Sequence, residues 1–269
     1  MTLTTKLNTN ISTKITEHYN EALKYFSEEN IIGIFLYGSQ NYGCDTENSD
    51  VDTVCRVIPT LKDVCFNCAP VIRTHICHNG EHIEFKDFRL ITTQFRKQNM
   101  NFVEILFTKY CKVNPEYSEF WSALLDWKEC IAQYNPEKAL RAAEGLAHKR
   151  YCNLCKATEH NHEIIEEYGY NPKALSYQYR ILQFIRKYKK RLFYKTCITL
   201  DSSERLIAQS LRRGIYNAEE AKIKSEEFDK EIKKEVDEFV WDDKPDPGVD
   251  IVLDNFQEKI IKKYLKSKL

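Results

Sequence analysis

An α+β fold, with a small sheet-bearing region first and a helical region after it, is what this sequence predicts, on two observations. Apolar runs of strand length, rich in β-branched and aromatic residues, lie ahead of residue 90, and from Leu90 onward the apolar residues recur at helical spacing. The boundary is drawn between residues 1–112 and 113–269.

Each element has its own justification. Ile11, Ile15, Tyr19, Leu23 and Phe26 share one face of an amphipathic helix over residues 11–27, suited to packing on a sheet. The run from Ile31 to Tyr37 reads as a buried strand ending in the turn Gly38-Ser39. A turn-rich segment then leads to a second strand marked by Val51, Val54 and Val57. After an irregular region containing Pro70, Ile83 and Phe85 alternate with His82 and Glu84 as in a third strand. Helices are expected over residues 88–110, over 116–127, behind Asn135-Pro136 and behind Asn171-Pro172. A short helix should end at Gly214, and a charged, solvated one should start at Ala218. Residues 241–250 break the chain, and a basic amphipathic tail from Asn255 docks or frays.

Composition excludes several classes. With 40 basic and 40 acidic residues the formal charge is zero, so the whole surface is no nucleic-acid coat and any such site must be local. The basic runs at 186–191 and 211–214 are the places for one. At 12% aromatic residues the chain is too rich for disorder. The sequence shows no apolar stretch of membrane-spanning length and no secretory h-region, so the expected location is the cytoplasm. Ten cysteines without a secretory signal are read as reduced thiols. Cys65 and Cys68, with His75, Cys77 and His78 nearby, and Cys152 and Cys155, with His160 and His162, supply zinc-type ligands, but no Gly-rich knuckle holds either pair.

The chemistry is concentrated between Phe35 and Val54. Gly38 permits close backbone approach, and a Gly-Ser turn offers amides and a hydroxyl to phosphate. In a strand, side chains two apart share a face, so Asp50 and Asp52 converge while Val51 turns to the core. Paired carboxylates suit magnesium, which keeps waters and shares its sphere with substrate phosphates. Glu84, opposite in facing to Ile83 and Phe85, is the first choice for a third carboxylate, and Asp87, well placed to cap the next helix, is the rival.

At these residues the sequence resembles the DNA polymerase beta-like nucleotidyltransferase superfamily, and more narrowly a group of stand-alone bacterial and phage nucleotidyltransferases. Besides Gly38-Ser39 and Asp50-Val51-Asp52, the segments 97–110 and 171–181 carry that likeness, which extends to about Glu238. The resemblance implies a small mixed sheet in a polymerase beta-like palm, with helices on one face and a helical C-terminal domain completing the cleft. It implies transfer of NMP from an NTP, with ATP the expected nucleotide, to a hydroxyl of an RNA end, a protein or a small molecule. Gly38 and Ser39 would hold the triphosphate; Asp50, Asp52 and Glu84 would ligate two magnesium or manganese ions; Glu84 would help deprotonate the acceptor. Lys173 and Arg180, seven apart on one helix, would reach phosphates. Glu104, inside an apolar run, needs a partner and is given a structural role beside Arg96, Arg180 or a cleft lysine. The competing readings are a catalytically silent nucleotide-binding or antitoxin-like module of the same fold, and a helical partner-binding protein.

Overall fold

The computed structural model describes residues 3–45, 49–159, 161–240 and 244–268. Helix α1 (Leu3–Ala22) leads to β1 (Ile31–Tyr37) and β2 (Asp52–Val57), and helix α2 (Leu61–Cys65) leads to β3 (Ile72–Ile76) and β4 (His82–Asp87). After α3 (Arg89–Arg96) and α4 (Met100–Val103) the chain returns as β5 (Cys111–Val113). These five strands form one mixed sheet in the order β3-β4-β2-β1-β5, with β2 and β4 parallel and the other neighbours antiparallel.

Both faces of the sheet are apolar, because β1 and β2 alternate between two buried sides. Ile34, Leu36, Cys55, Ile83 and Phe85 pack against Ile11, Ile15 and Tyr19 of α1. Ile32, Phe35 and Val54 belong to a second core that continues through the rest of the molecule as far as Tyr264. Helices therefore cover both faces, which corrects the expected one-face arrangement. Buried His18 pins α1, with Nδ1 3.0 Å from Thr53 Oγ1 and Nε2 3.1 Å from Glu81 Oε2.

Two strands went unread in the sequence. Strand β3 is an edge whose side chains are almost all exposed, so it has no alternation to detect, and β5 is a three-residue strand. The helix expected over 88–110 is broken at Gln98, whose φ of 55° turns the chain while its amide donates to the Phe95 and Ile131 carbonyls. Asn99 then caps α4, and Glu104–Leu106 follows as a 3₁₀ turn.

The helical part comprises α5 (Ser118–Leu125), α6 (Lys128–Ala132), α7 (Pro136–Cys152), α8 (His162–Tyr168), α9 (Pro172–Lys189), α10 (Tyr194–Ile198), α11 (Ser202–Arg212), α12 (Ala218–Asp237) and α13 (Pro247–Lys266). Helices α7 and α9 start as the Asn-Pro signals predict: Asn135 and Asn171 accept from Lys138 N and Ala174 N. Helix α9 is buried nearly all round and packs on α7, α11 and α12. Helix α12 is not solvated as expected, because Ala221, Ser225, Phe228, Ile232 and Val236 form a buried stripe on it. The C-terminal helix is docked: Phe256 meets Trp121, and Arg96 pairs with Asp250 at 2.6 Å and Asp254 at 2.8 Å. Among the described residues no helix is long and apolar enough to cross a membrane.

Candidate functional site

Strand β1 delivers its last residue, Tyr37, opposite Asp52 in the antiparallel register. Gly38 follows with φ 87° and ψ −155°, a region open essentially to glycine alone. A Cβ there would meet one neighbour, Asp52 Oδ2 at 3.8 Å, so the glycine serves conformation and its Cα looks at the Asp52 carboxylate. Gly38→Ala should lower stability by about 1–3 kcal/mol through backbone strain, without a packing clash, as read by denaturant unfolding.

The turn beyond Gly38 is held from a distance. Asn41 Nδ2 donates to Leu36 O at 2.8 Å, and the helical region supplies the rest: Lys195 Nζ to Asn41 O at 3.2 Å, Leu200 N to Tyr42 O at 3.2 Å and Arg212 Nη1 to Cys44 O at 2.8 Å. The turn that follows β1 is thus held by α10 and α11.

Asp52 opens β2, and Asp50 stands exposed ahead of the strand. The convergence expected from strand alternation is therefore a strand–loop arrangement, and the two charges still sense one another. Burial raises the Asp52 pKa, Asp50 adds to the rise, and His82 and Lys173 oppose it. Asp52 Oδ1 is buried and makes no hydrogen bond, although His82 Nδ1 lies 3.3 Å away at poor geometry.

Glu84 sits on the same sheet face but one pair further along, opposite Val54. Its carboxylate is ion-paired to Lys86, and it is not among the residues bordering the cleft described below. Asp87 is fully buried, accepts from the Arg89 amide at 2.9 Å and pairs with the Arg89 guanidinium at 2.8 Å. It caps and locks the start of α3, away from the other carboxylates.

A cleft of about 510 Å³ separates the sheet from the helices. On the sheet side it is bordered by Gly38, Ser39 and Asp52, and on the helical side by Arg150 of α7, Lys173 of α9 and Arg212 of α11. Lys173 reaches solvent through the cleft, yet the walls strip enough water that desolvation lowers its pKa; Arg212 and Arg150 push the same way, and Asp52 and Asp50 oppose. Arg180, seven residues along α9, also borders the cleft but is fully buried. Its Nε and Nη2 have no hydrogen-bond partner. Burial disfavours its charge, but Tyr42, Tyr177, Cys44 and Glu104 around it hold its pKa above the ordinary value. Arg212 belongs to the basic run at 211–214 and reaches this cleft, whereas Arg150 was missed in the sequence, since a basic residue on an amphipathic helix looks like any solvated one.

Glu104 is buried behind the turn and accepts from the Gly38 amide at 3.3 Å. Burial lifts its pKa to about 8 against the pull of Arg180, the Gly38 amide, Lys195 and Lys86. Arg96, one of its expected partners, is instead bound to α13. The basic run at 186–191 is largely neutralised: Arg186 pairs with Glu231, Lys187 with Glu204, and Lys189 with Glu235 at 2.5 Å. All ten cysteines are free, His75 is engaged by Tyr25 and Glu21, and His160 lies outside the described residues. Among the described residues no group of three or more His, Cys, Asp or Glu side chains converges on a metal position.

No protein-family model matches this chain, and no curated protein matches it.

Proposed function

We propose that the chain is a metal-dependent nucleotidyltransferase that moves NMP from an NTP, ATP being the expected one, to an acceptor hydroxyl. One observation carries the reading: across a single cleft, the Gly38-Ser39 turn and Asp52 face three cations, Arg150, Lys173 and Arg212. A carboxylate wall opposite a cationic wall matches a polyphosphate that arrives with its own divalent ion.

The donor set fits that ion. Asp52 Oδ1 is buried without a hydrogen bond, and exposed Asp50 is close enough to perturb it, so two carboxylates and phosphate oxygens make a normal sphere for magnesium or manganese. When bound, the ion or ion pair supplies charge neutralisation at the α-phosphate and the leaving group. Glu84 remains the proposed third carboxylate, and to serve it must leave its pair with Lys86.

The chain's own residues supply positioning and electrostatics. Lys173 and Arg212 take the triphosphate charge, and Gly38 and Ser39 bring backbone and hydroxyl up to it. Arg180 stiffens the floor beneath Tyr42 and Tyr177. The acceptor oxygen forms a bond to the α-phosphorus as the bond to the bridging α–β oxygen breaks. Pyrophosphate leaves with that electron pair, and the hydroxyl proton passes to a carboxylate or to solvent. The acceptor is an RNA end, a protein side chain or a small molecule.

A second reading, a nucleotide-binding module without turnover, is favoured by one specific feature: His82, not an acid, is the β4 side chain beside Asp52. Purified protein is to be incubated with each α-labelled NTP, magnesium or manganese, and separate pools of RNA, protein and metabolites, beside an Asp50→Ala, Asp52→Ala double variant. Label in one pool, absent with the variant, is the expected result. Tight nucleotide binding with no label in any pool would select the second reading.

A further inference from the structure

We propose that Arg150 is the surface on which the nucleobase of the bound nucleotide stacks, at the open end of a chain of alternating rings and guanidinium groups. This rests on the nucleotide reading above and adds where the base lies and which bases are preferred.

The chain of contacts starts in the interior. Arg180 Cζ lies 3.7 Å from the Tyr42 ring centroid and 4.7 Å from that of Tyr177. Arg150 Cζ lies 4.9 Å from the same Tyr177 ring. Exposure rises along the series, from Tyr42 and Arg180, both buried, through half-buried Tyr177 to exposed Arg150. Tyr177 is held in place by its hydroxyl, which donates to Asn101 Oδ1 at 3.1 Å. Two guanidinium groups on one ring repel each other, and the electron-rich ring face offsets that cost.

Arg150 is the member of the series that still has a face to give. It is exposed, it borders the cleft, and among the described residues it makes no ion pair with a carboxylate. A planar, delocalised guanidinium held by an aromatic ring is a stacking surface for a base, which an ammonium is not. The same cleft is lined by Ile164, an apolar flank, and by Asn161 and Thr158, whose side chains hydrogen-bond to each other at 2.8 Å and so form a fixed turn at its edge. The phosphate-type groups, Ser39, Lys173 and Arg212, come from other elements. Purines offer the larger π-surface, so purine triphosphates should bind tighter than pyrimidine ones.

The test is titration calorimetry of the full chain with magnesium-ATP, magnesium-CTP and magnesium-tripolyphosphate, for wild type, Arg150→Lys and Arg150→Ala, with melting temperature as the folding control. Arg150→Lys keeps the charge and loses the plane. It is expected to weaken ATP about tenfold, to erase the preference for ATP over CTP, and to leave tripolyphosphate unchanged. Arg150→Ala should weaken ATP at least as much. Equal weakening of ATP and tripolyphosphate by Arg150→Lys, or unchanged ATP affinity in both variants, would overturn the stacking role. Wild type binding none of the three probes would overturn the nucleotide reading itself.

Discussion

Asp52→Asn is expected to lower NMP transfer by about 10²–10³-fold or more while the protein stays folded and no less stable at neutral pH. The activity loss follows from removing the one carboxylate that, among the described residues, both borders the cleft and presents a buried oxygen with no hydrogen bond. The stability side follows from the direction of its pKa. Burial raises the folded value above the ordinary 3.8, so the proton is held more tightly folded than unfolded. Such a group contributes stability below its unfolded pKa, and that contribution is lost as pH rises through the folded value. At neutral pH the ionised carboxylate is therefore a liability to the fold, and the neutral amide removes it. The same shift makes metal-dependent activity fall off on the acid side sooner than an ordinary aspartate would allow. Rate assays and thermal melts on the same sample check both halves. A melting temperature that dropped together with activity would mean that Asp52 is structural.

Glu104→Gln is expected to flatten the pH dependence of stability across the window from 4.5 to about 8, and to raise stability at the upper end. Burial raises the folded pKa, so Glu104 favours the fold below the unfolded value of 4.5, and that advantage drains away as pH climbs towards about 8. The amplitude is roughly 2–5 kcal/mol, reduced by the nearby Arg180 charge. Glutamine keeps an oxygen for the Gly38 amide and never ionises, so the turn survives. Glu104→Ala removes that acceptor as well and should be less stable than Glu104→Gln by about 1–3 kcal/mol at every pH. Parallel unfolding curves for wild type and Glu104→Gln through the window would refute the assignment.

The strands that were legible in the sequence are those whose burial is written into one segment. The runs Ile31–Tyr37 and Asp52–Val57 are buried, and His82–Asp87 alternates, so composition and period identify all three. Strand β3 joins the sheet through backbone hydrogen bonds to β4 with its side chains in solvent, and nothing in its residue types marks that. The misreading of 88–110 as one helix has a similar origin. The apolar spacing continues through it, and the turn is made by Gln98 in a left-handed conformation stabilised by carbonyls of α3 and α6.

For the site, the sequence alone determined the local chemistry: the Gly38-Ser39 turn, the Asp50 and Asp52 carboxylates, and Lys173 behind an Asn-Pro helix start. The turn and Asp52 lie where β1 ends and β2 begins and Lys173 lies at the helix start, whereas Asp50 stands in the loop ahead of β2 and not at the strand position expected of it. Only the tertiary structure decided what stands across from them. It brought Arg150 and Arg212 to the cleft from α7 and α11, seated Glu104 under Gly38, turned Glu84 to Lys86 and placed His82 beside Asp52. The physical reason is that such groups meet through the docking of separately amphipathic elements, and which basic residue of a helix lands on a cleft depends on packing between segments far apart in the chain.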